Sequence, residues 1–374
     1  MKILFPCMSK SWGGMEMVTV TGIQQLLKQN IKVQLVCAEE SRLHLEANSM
    51  GIIIHPIKIK KIISPYAILK LSSIIRKEKY DLIHTHASKD LWLIVPALKI
   101  INSAVPLVLT KHIGSFITKR DIIHNWFYKR ITKAIAISSV IKRNLKETTL
   151  LTEQNIQVIF NGVNLEKFNP QKADRTKLRN ELKLTDYDLL IGMTARFSPG
   201  KGHEEFLLAA KELSKNNYSN HIKFVIVGEA SRGEIEYEKK IKKLTATYNL
   251  ENVHFPGYRI DIPDVLAAMD IFVLPSHAEA FGIALVEAMA MEKATVCSNS
   301  DGVLDIAVDN ETSFLFNSKN ANDLAEKIEK LILDPEKRKT FGHNARKRVI
   351  ENFDLEKITD QTIKLYSKLI KENK

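Results

Sequence analysis

Cysteine is scarce in this chain of 374 residues, and its positions follow no pattern. The three cysteines, Cys7, Cys37 and Cys297, are odd in number and show neither a pairing pattern nor the short spacing of metal ligands. Their scatter excludes a disulfide-stapled scaffold and a zinc-binding domain. We therefore expect reduced thiols in a cytoplasmic protein.

Long apolar runs are missing as well. The best membrane-spanning candidate, residues 90–109, is interrupted by Lys99 and two prolines, whereas a transmembrane helix needs about 18 or more consecutive apolar residues. The N-terminal stretch MKILFPCMS has one lysine and too short an apolar run for a signal peptide. The sequence thus predicts neither a signal peptide nor a transmembrane segment.

Negative charge is in deficit, because 55 lysine and arginine residues face 43 aspartate and glutamate residues, which gives a net charge of +12. The whole excess lies in residues 1–170. A basic half suggests an anionic partner, such as a phospholipid surface, a phosphorylated glycan or nucleic acid. The alternative is that the lysines only solvate the helices. No helix-turn-helix, zinc-finger or aromatic RNA-binding signature supports nucleic acid, so we expect none to bind.

Apolar runs that predict strands alternate with amphipathic stretches that predict helices in both halves of the chain. Seven such runs lie in the first half, from KILFP to IQVIFNG, and six lie in the second, from LLIGMTA to SFLF. The alternation is typical of parallel sheets covered by helices on both faces. It predicts an α/β protein with two doubly wound, Rossmann-like domains that face each other across a cleft. The first domain would comprise residues 1–165 with a C-terminal helix at about 355–374, and the second residues 166–354.

Loops that follow strands are the candidate sites, because ligands of open parallel sheets bind beyond the carboxyl ends of the strands. In GMTARFSPGKGHEEF, Arg196 and Lys201 lie between a strand and a helix, and two cations beside a helix N-terminus suit a diphosphate. The alternative is a solvated turn with ordinary surface charges. Tyr258 and Arg259 follow another strand, in a loop that could hold a base or could be a plain connection.

Two glutamates flank a strand-to-helix loop in SHAEAFGIALVEAMA. Glu279 precedes the predicted helix and Glu287 lies in its early turns. Backbone N–H groups near Phe281, Gly282 and Ile283 favour an anion at the helix start, and Gly282 permits a ligand to approach closely. Carboxylates bind sugar hydroxyls through charge-assisted hydrogen bonds, so the glutamates could hold a sugar and a ribose on either side of an anion pocket. The alternative is a capping carboxylate and a solvent-facing helix residue.

Taken together, these motifs resemble those of the retaining glycosyltransferases of family four, which have the GT-B fold. The resemblance rests on the E-x7-E spacing in EAFGIALVE, the R-x4-K-G spacing in RFSPGKG, the glycine loop SKSWGGMEM and the inter-domain stretch VIFNGVNLEKFNP. It covers nearly the whole chain. The sequence departs from the family pattern at two places: Asn164 stands where the hinge signature usually has aspartate, and Asp301 with Gly302 replaces a glycine pair.

The resemblance implies the transfer of a sugar from a nucleotide-sugar donor to an acceptor, with retention at the anomeric carbon. It implies that Glu279 contacts the donor sugar, that Arg196 and Lys201 bind the donor diphosphate, and that Glu287 holds the ribose. His112, at the end of the strand PLVLTKH, would lie close to the transferred sugar. We expect Glu279, His112, Arg196 and Lys201 to be the catalytic residues. The family resemblance implies further donor-binding residues, namely Gly13, Gly14, Tyr258, Arg259, Phe281, Gly282 and Ile283.

A metal ion could stabilise the leaving diphosphate in place of arginine and lysine. The metal-binding pattern Asp-x-Asp, at Asp186 and Asp188, comes before a predicted strand rather than after it. His84 and His86 share one strand face but lack a third ligand, so we interpret them as polar lining of the acceptor cleft. The sequence therefore predicts a metal-independent reaction without a cofactor.

We expect a glycan or lipid-linked acceptor and a role in cell-envelope polysaccharide or lipopolysaccharide synthesis. Two stretches, HPIKIKKIISPYAILK (residues 55–70) and RDIIHNWFYKR (residues 120–130), mix basic with apolar residues and could lie on an anionic bilayer as a peripheral contact. One alternative is a nucleotide-sugar epimerase on the same fold, which would convert the donor without an acceptor. The other is a non-enzymatic basic protein that binds nucleic acid.

Overall fold

The computed structural model describes residues 1–59, 64–216, 219–231 and 233–373. They form two compact units, one of Met1–Asn161 with Glu356–Lys374 and the other of Gly162–Leu355. Each unit contains one parallel sheet with helices between successive strands, which confirms the predicted α/β fold class. Residues 60–63, in the basic stretch HPIKIKKIISPYAILK, lie outside the described residues.

The first unit has a seven-stranded parallel sheet. Its strands are β1 (Lys2–Cys7), β2 (Lys32–Ala38), β3 (Ile53–Ile57), β4 (Leu82–Thr85), β5 (Leu107–Lys111), β6 (Lys133–Ala136) and β7 (Ile156–Val158). Its first six helices are α1 (Gly14–Lys28), α2 (Arg42–Ser49), α3 (Pro65–Glu78), α4 (Leu91–Ile100), α5 (Ile122–Lys129) and α6 (Ser139–Thr148). The strand order is β3-β2-β1-β4-β5-β6-β7, with β1 paired in parallel to both β2 and β4.

The second unit has a six-stranded parallel sheet. Its strands are β8 (Leu189–Thr194), β9 (Ile222–Val227), β10 (Val253–Gly257), β11 (Ile271–Leu274), β12 (Ala294–Ser298) and β13 (Ser313–Phe316). The remaining helices are α7 (Arg175–Glu181), α8 (His203–Leu213), α9 (Ile235–Thr247), α10 (Ile262–Ala268), α11 (Ile283–Ala290), α12 (Val303–Ile306), α13 (Ala321–Leu333), α14 (Pro335–Asn352) and α15 (Leu355–Glu372). The strand order is β10-β9-β8-β11-β12-β13.

The central strands read as apolar runs because helices cover both faces of each sheet. All residues of β1 after Lys2 are buried, and so are all four residues of β11. The last helix, α15, adds Tyr366 to the core of the first unit, where it packs with Phe5 and Leu82. The C-terminal helix is therefore part of the hydrophobic core of the first unit.

The apolar stretch at residues 90–109 forms a helix followed by a strand, namely α4 and β5. Helix α4 has only ten residues and contains Pro96. Over the part of the chain that the structure describes, every helix is too short or too polar to cross a lipid bilayer.

Both sheets have a switch point, the place where the strand order reverses. In the first sheet it lies between β1 and β4, and in the second between β8 and β11. Loops at the carboxyl ends of the two strands diverge there and leave a crevice, which is where open α/β sheets bind their ligands. The topology therefore selects four loops for attention, those that follow β1, β4, β8 and β11.

Two glycines allow backbone segments of the second unit to touch. Gly202 has φ of +78°, and a Cβ atom there would lie 2.1 Å from the carbonyl oxygen of Pro275. Gly228 has φ of +147°, and its Cβ would lie 2.0 Å from the carbonyl oxygen of Ala195. No side chain fits at either distance, so the loop after β8 is packed against its neighbours on both sides.

Replacing Gly202 with alanine tests this close packing. Gly200 is the matched control, because its φ of +85° is similar but a Cβ there would meet nothing within 4 Å. We expect Gly200→Ala to cost about 1–3 kcal/mol through backbone strain alone. Gly202→Ala should cost about 1–3 kcal/mol more, since backbone must also move. Urea unfolding midpoints would measure both; equal midpoints would contradict the close contact with Pro275.

Candidate active site

The loop between β8 and α8 carries the first two predicted site residues. It closes in a turn in which the Lys201 N–H donates to the carbonyl oxygen of Ser198 (3.2 Å), with Gly200 in the left-handed region. The Arg196 side chain is 56% exposed, and its Nε lies 3.2 Å from Oε2 of Glu234. The arginine is therefore accessible to a ligand but held in place by a carboxylate.

The loop between β11 and α11 brings Glu279 to Lys201. The Lys201 ammonium donates to Oε1 of Glu279 at 2.6 Å, and the Glu279 side chain is only 15% exposed. The backbone of the same loop is fixed because the carbonyl oxygen of Glu279 accepts from the N–H of Gly302 (2.9 Å). Two predicted site residues from separate motifs thus form one ion pair at the switch point of the second sheet.

Helix α11 begins directly after this loop. Gly282 precedes its first residue with φ of +99°, a conformation that favours glycine. The Phe281 ring is buried and lies 5.8 Å from the Phe353 ring between centroids, which anchors the loop to the residue that follows α14. Because the first N–H groups of a helix have no carbonyl partner within it, the turn that begins at Ile283 can receive an anion.

Glu287 lies one turn further along α11 and is half-buried. Burial raises the pKa of its carboxyl group to about 7, although the charge of Lys167 acts in the opposite direction. The group therefore exists in both protonation states near neutral pH. The ionised form can accept one charge-assisted hydrogen bond on each oxygen from a pair of vicinal hydroxyls, and these bonds are stronger than those of the neutral acid.

Tyr258 and Arg259 occupy the loop after β10, and Tyr258 is exposed. The Arg259 guanidinium forms ion pairs with Glu181 (2.5 Å) and with Asp261 (2.7 Å). The Arg259 guanidinium, with a smaller contribution from Lys177, holds the pKa of Asp261 well below its usual range. The structure does not bring these two residues into the ion pair of Lys201 and Glu279.

The glycines of the first unit lie at the start of α1. The N–H of Gly13 donates to the carboxylate of Glu16 at 3.0 Å, which caps the helix. A Cβ atom at Gly13 would meet only the end of the Glu16 side chain, at 3.6 Å, and one at Gly14 would meet nothing within 4 Å. The fold of this unit therefore leaves space beside both glycines.

His112 follows β5 directly and is buried. Its Nε2 lies 2.8 Å from Nδ1 of His86, and the two rings stack at 5.1 Å between centroids. Burial, with a smaller contribution from the Lys111 charge, lowers the pKa of His112 to about 4. Both rings are neutral at neutral pH, since the pKa of His86 is also lowered by burial.

The interpretation of His84 as lining of the acceptor cleft is wrong. Its Nδ1 lies 2.5 Å from the Tyr366 hydroxyl and its Nε2 lies 2.7 Å from the Thr110 hydroxyl, so both ring nitrogens are used within the core. Burial lowers its pKa to about 3. His86, two residues later, does line a cavity of the first unit. The side-chain alternation of a strand shows which face a residue is on, but not what covers that face.

Several residues at the two switch points were not predicted. In the second unit one is Glu234, which pairs with Arg196. Gly302, noted above as a departure from the family pattern, hydrogen-bonds the Glu279 loop. In the first unit, four lysines gather around one cavity of about 520 Å³: Lys111 at the end of β5, and Lys10, Lys89 and Lys119 from the segments after β1, β4 and β5. Their only signal in the sequence was the basic character of residues 1–170.

Two sequence families match consecutive parts of the chain. The model described as Glycosyltransferase Family 4 matches residues 12–167, and the model described as Glycosyl transferases group 1 matches residues 174–348. The chain belongs to the group 1 glycosyltransferases of family four. The family resemblance is thereby confirmed, and the protein is a glycosyltransferase.

Curated relatives are similar over almost the whole chain. Capsular polysaccharide biosynthesis glycosyltransferase CapM of Staphylococcus aureus is 29% identical over 94% of this chain and 93% of its own. UDP-Gal:alpha-D-GlcNAc-diphosphoundecaprenol alpha-1,3-galactosyltransferase of Escherichia coli is 28% identical over 96% and 94%. Glycosyltransferase MJ1178 of Methanocaldococcus jannaschii is 31% identical over 83% and 81%.

Solved structures share the fold. The glycosyltransferase from Rickettsia africae has a TM-score of 0.89 at 25% identity, over 99% of this chain and 98% of its own. Anabaena HepE, crystallised with UDP and glucose, has a TM-score of 0.82 at 24% identity, over 98% and 99%. These likenesses confirm the predicted GT-B fold.

The buried histidines predict how the stability of this glycosyltransferase depends on pH. Because burial lowers the pKa of His84 and His112 to about 3 and about 4, the unfolded chain takes up protons below about pH 6.5 that the native chain does not. The free energy of unfolding should therefore fall on acidification, by about 1.4 kcal/mol per pH unit for each such histidine.

The test compares the slope of unfolding free energy against pH, from urea titrations at several pH values between neutral and about 4.5. We expect a shallower slope for His84→Gln than for wild type, because one titrating group is removed while hydrogen bonding is retained. His343→Gln changes an exposed histidine and serves as the control. A His84→Gln slope equal to that of wild type would contradict a buried neutral imidazole.

Proposed function

We propose that this glycosyltransferase moves a sugar from a nucleotide-sugar donor to a glycan or lipid-linked acceptor, with retention, in cell-envelope synthesis. The observation that carries the proposal is the ion pair of Lys201 and Glu279 beside the N-terminus of α11. The relatives give further support. The Escherichia coli enzyme is named for UDP-Gal and a diphosphoundecaprenol-linked acceptor, CapM for capsular polysaccharide, and HepE was crystallised with UDP and glucose.

In this proposal the second unit binds the donor. Arg196, Lys201 and the N–H groups at the start of α11 hold the diphosphate, since cations and helix N-termini both attract phosphate oxygens. An ammonium group has three N–H donors, so Lys201 can keep its bond to Glu279 and still donate to phosphate. Glu279 thereby orients the lysine and accepts a hydrogen bond from a donor-sugar hydroxyl with its second oxygen.

Glu287 would bind the ribose hydroxyls of the nucleotide. This role requires the ionised carboxylate, and burial makes ionisation costly while the site is empty. Two hydroxyl donors would replace the water that the buried carboxylate has lost. Nucleotide binding should therefore favour the charged form of Glu287.

The chemical step would need no metal ion. As the bond between the anomeric carbon and the diphosphate oxygen breaks, the electron pair passes to that oxygen, and Arg196 and Lys201 stabilise the negative charge. The acceptor hydroxyl attacks the same face of the sugar, and its proton passes to the leaving phosphate oxygen. His112, which is neutral, would act as a hydrogen-bonding partner of the transferred sugar rather than as a cation.

The comparisons do not favour the two alternatives. An epimerase on this fold would release converted donor without an acceptor, whereas the relatives of this chain are glycosyltransferases that match nearly its whole length. A nucleic-acid-binding role would rest on the net charge of +12 alone.

Alanine variants of Arg196 and Glu287 test the donor site. We expect each to lower the rate of nucleotide release from the donor by at least about tenfold, because each removes a group that holds or stabilises the leaving nucleotide. The assay screens UDP-, GDP- and ADP-sugars with a chelator present, so it also tests whether metal is needed. Circular dichroism should show that both variants remain folded.

Arg175→Ala and Glu236→Ala are the matched controls for these variants. Arg175 is 50% exposed and paired to Asp270, much as Arg196 is 56% exposed and paired to Glu234, but it lies at the opposite end of the sheet. Glu236 forms an exposed pair with Lys239. Near-wild-type rates in both Arg196→Ala and Glu287→Ala would reject the donor site, and loss of activity with the chelator would reject the metal-independent mechanism.

The first unit would contact an anionic membrane surface through the predicted stretch, residues 120–130, together with the exposed apolar residues just before it, at 113–117. Exposed apolar side chains alternate here with basic ones along the chain; Ile122, two positions after Arg120, is 89% exposed. We expect binding to vesicles that contain anionic phospholipid, with an affinity that falls sharply as salt rises from about 0.05 M to about 0.5 M. Vesicle sedimentation would measure this, and salt-independent binding or no binding would count against the membrane contact.

A further inference from the structure

The cavity of the first unit that His112 lines also contains lysines, and these lysines have no part in the proposed donor site. It measures about 520 Å³ and lies where the loops after β1, β4 and β5 meet, at the switch point of the first sheet. A volume of this size is typical of small-molecule sites. Its four lysines are Lys10, Lys89, Lys111 and Lys119, and we call it the lysine pocket.

Three of these lysines lie within electrostatic reach of one another. Lys111 is only 8% exposed, and its ammonium group donates to the Ser88 hydroxyl at 3.2 Å. Burial and the nearby charge of Lys119 lower the pKa of Lys111 to about 8. Burial and the charge of Lys89 lower the pKa of Lys119 in turn. Their mutual repulsion is a cost that an anionic ligand would remove.

The other titratable groups of the pocket do not balance this charge. Asp90 is the acidic residue among the described residues that line it, and its carboxylate accepts from the N–H of Met8 (3.3 Å) and from the Thr85 hydroxyl (3.2 Å). Burial raises the pKa of Asp90 to about 7. His86 and His112 also line the pocket and are neutral. The lining is therefore strongly positive.

A run of exposed apolar side chains, which we call the apolar strip, begins at the pocket and continues along residues 113–123. Ile113 lines the pocket and is 66% exposed, and the chain then presents Phe116, Ile117, Ile122 and Ile123, each at least half exposed. Exposed apolar side chains that recur over so short a stretch of chain are typical of an interaction surface. Lys111 and Lys119 lie in the same stretch of chain as these apolar residues, at 111–123. A strongly cationic site therefore adjoins an apolar one. Such a combination fits an amphiphile with a multiply charged head group.

We infer that the lysine pocket binds the diphosphate group of a lipid-linked sugar acceptor, with Lys89, Lys111 and Lys119 as its ligands and the apolar strip beside the lipid chain. This inference rests on the proposed transferase function and deepens it. A diphosphate places negative charge on two adjacent phosphate groups, so it can meet three ammonium groups at once. A neutral glycan acceptor would leave the lysines unpaired.

Two acceptors that differ only in the diphosphate test the inference. One is the acceptor sugar linked through a diphosphate to a short prenyl chain, and the other is the same sugar linked directly to the same prenyl chain as a neutral glycoside. We expect Lys111→Met and Lys119→Gln each to raise the KM for the diphosphate acceptor by about tenfold or more. The KM for the neutral glycoside, the KM for the donor and the rate of donor hydrolysis should stay unchanged.

Lys28→Gln is the control, because Lys28 is an exposed lysine of the first unit, in α1, that neither lines the pocket nor belongs to the proposed membrane contact. It should alter no constant. An equal rise in KM for both acceptors would show a structural effect and overturn the inference. A rise in the donor KM would reassign the lysines to the donor, and an unchanged KM for the diphosphate acceptor would leave them without this role.

Direct binding separates failure of the inference from failure of the proposed function. Calorimetry with farnesyl diphosphate and with farnesol requires no sugar transfer. Wild type should bind the diphosphate and not the alcohol, and Lys111→Met should weaken that binding about tenfold. If neither acceptor is glycosylated but farnesyl diphosphate binds better than farnesol, the proposed function fails and the anion site stands. If farnesyl diphosphate binds no better than farnesol, the inference fails.

Discussion

The close contact between Gly202 and the carbonyl oxygen of Pro275 is the constraint on which the donor site depends. It holds the loop after β8 against the end of β11, where only a residue without a side chain fits. Lys201, which precedes Gly202, is thereby brought within 2.6 Å of Glu279. A cation and a carboxylate that are 78 positions apart in sequence form an ion pair because two backbone segments touch.

The two sheets use the same topology for different electrostatic purposes. At the switch point of the second sheet, Arg196 and Lys201 each have a carboxylate partner, so their positions are set before a ligand arrives. At the switch point of the first sheet, the Lys111 ammonium group donates to the Ser88 hydroxyl, and no carboxylate partner is found for it among the described residues. The first arrangement suits precise placement of a reacting group, while the second suits attraction of an anionic one.

Loop positions could be predicted from the sequence because strands buried on both faces produce apolar runs with clear ends. The runs DIFVLPS and LLIGMTA located the loops that carry Glu279, Arg196 and Lys201. His84 shows the limit of this reasoning. Its strand and face were correctly identified, but its covering partner, Tyr366, comes from a helix 282 positions later in the chain. No local pattern reports such a contact.

The sequence by itself determined the fold class, the succession of strands and helices, the family, and the loops in which the functional residues lie. Local periodicity and turn chemistry carry that information. Only the tertiary structure decided which loops meet, because strand order follows from the packing of the whole sheet. It joined Lys201 to Glu279, gave Arg196 the partner Glu234, and gathered lysines from three separate loops around one cavity.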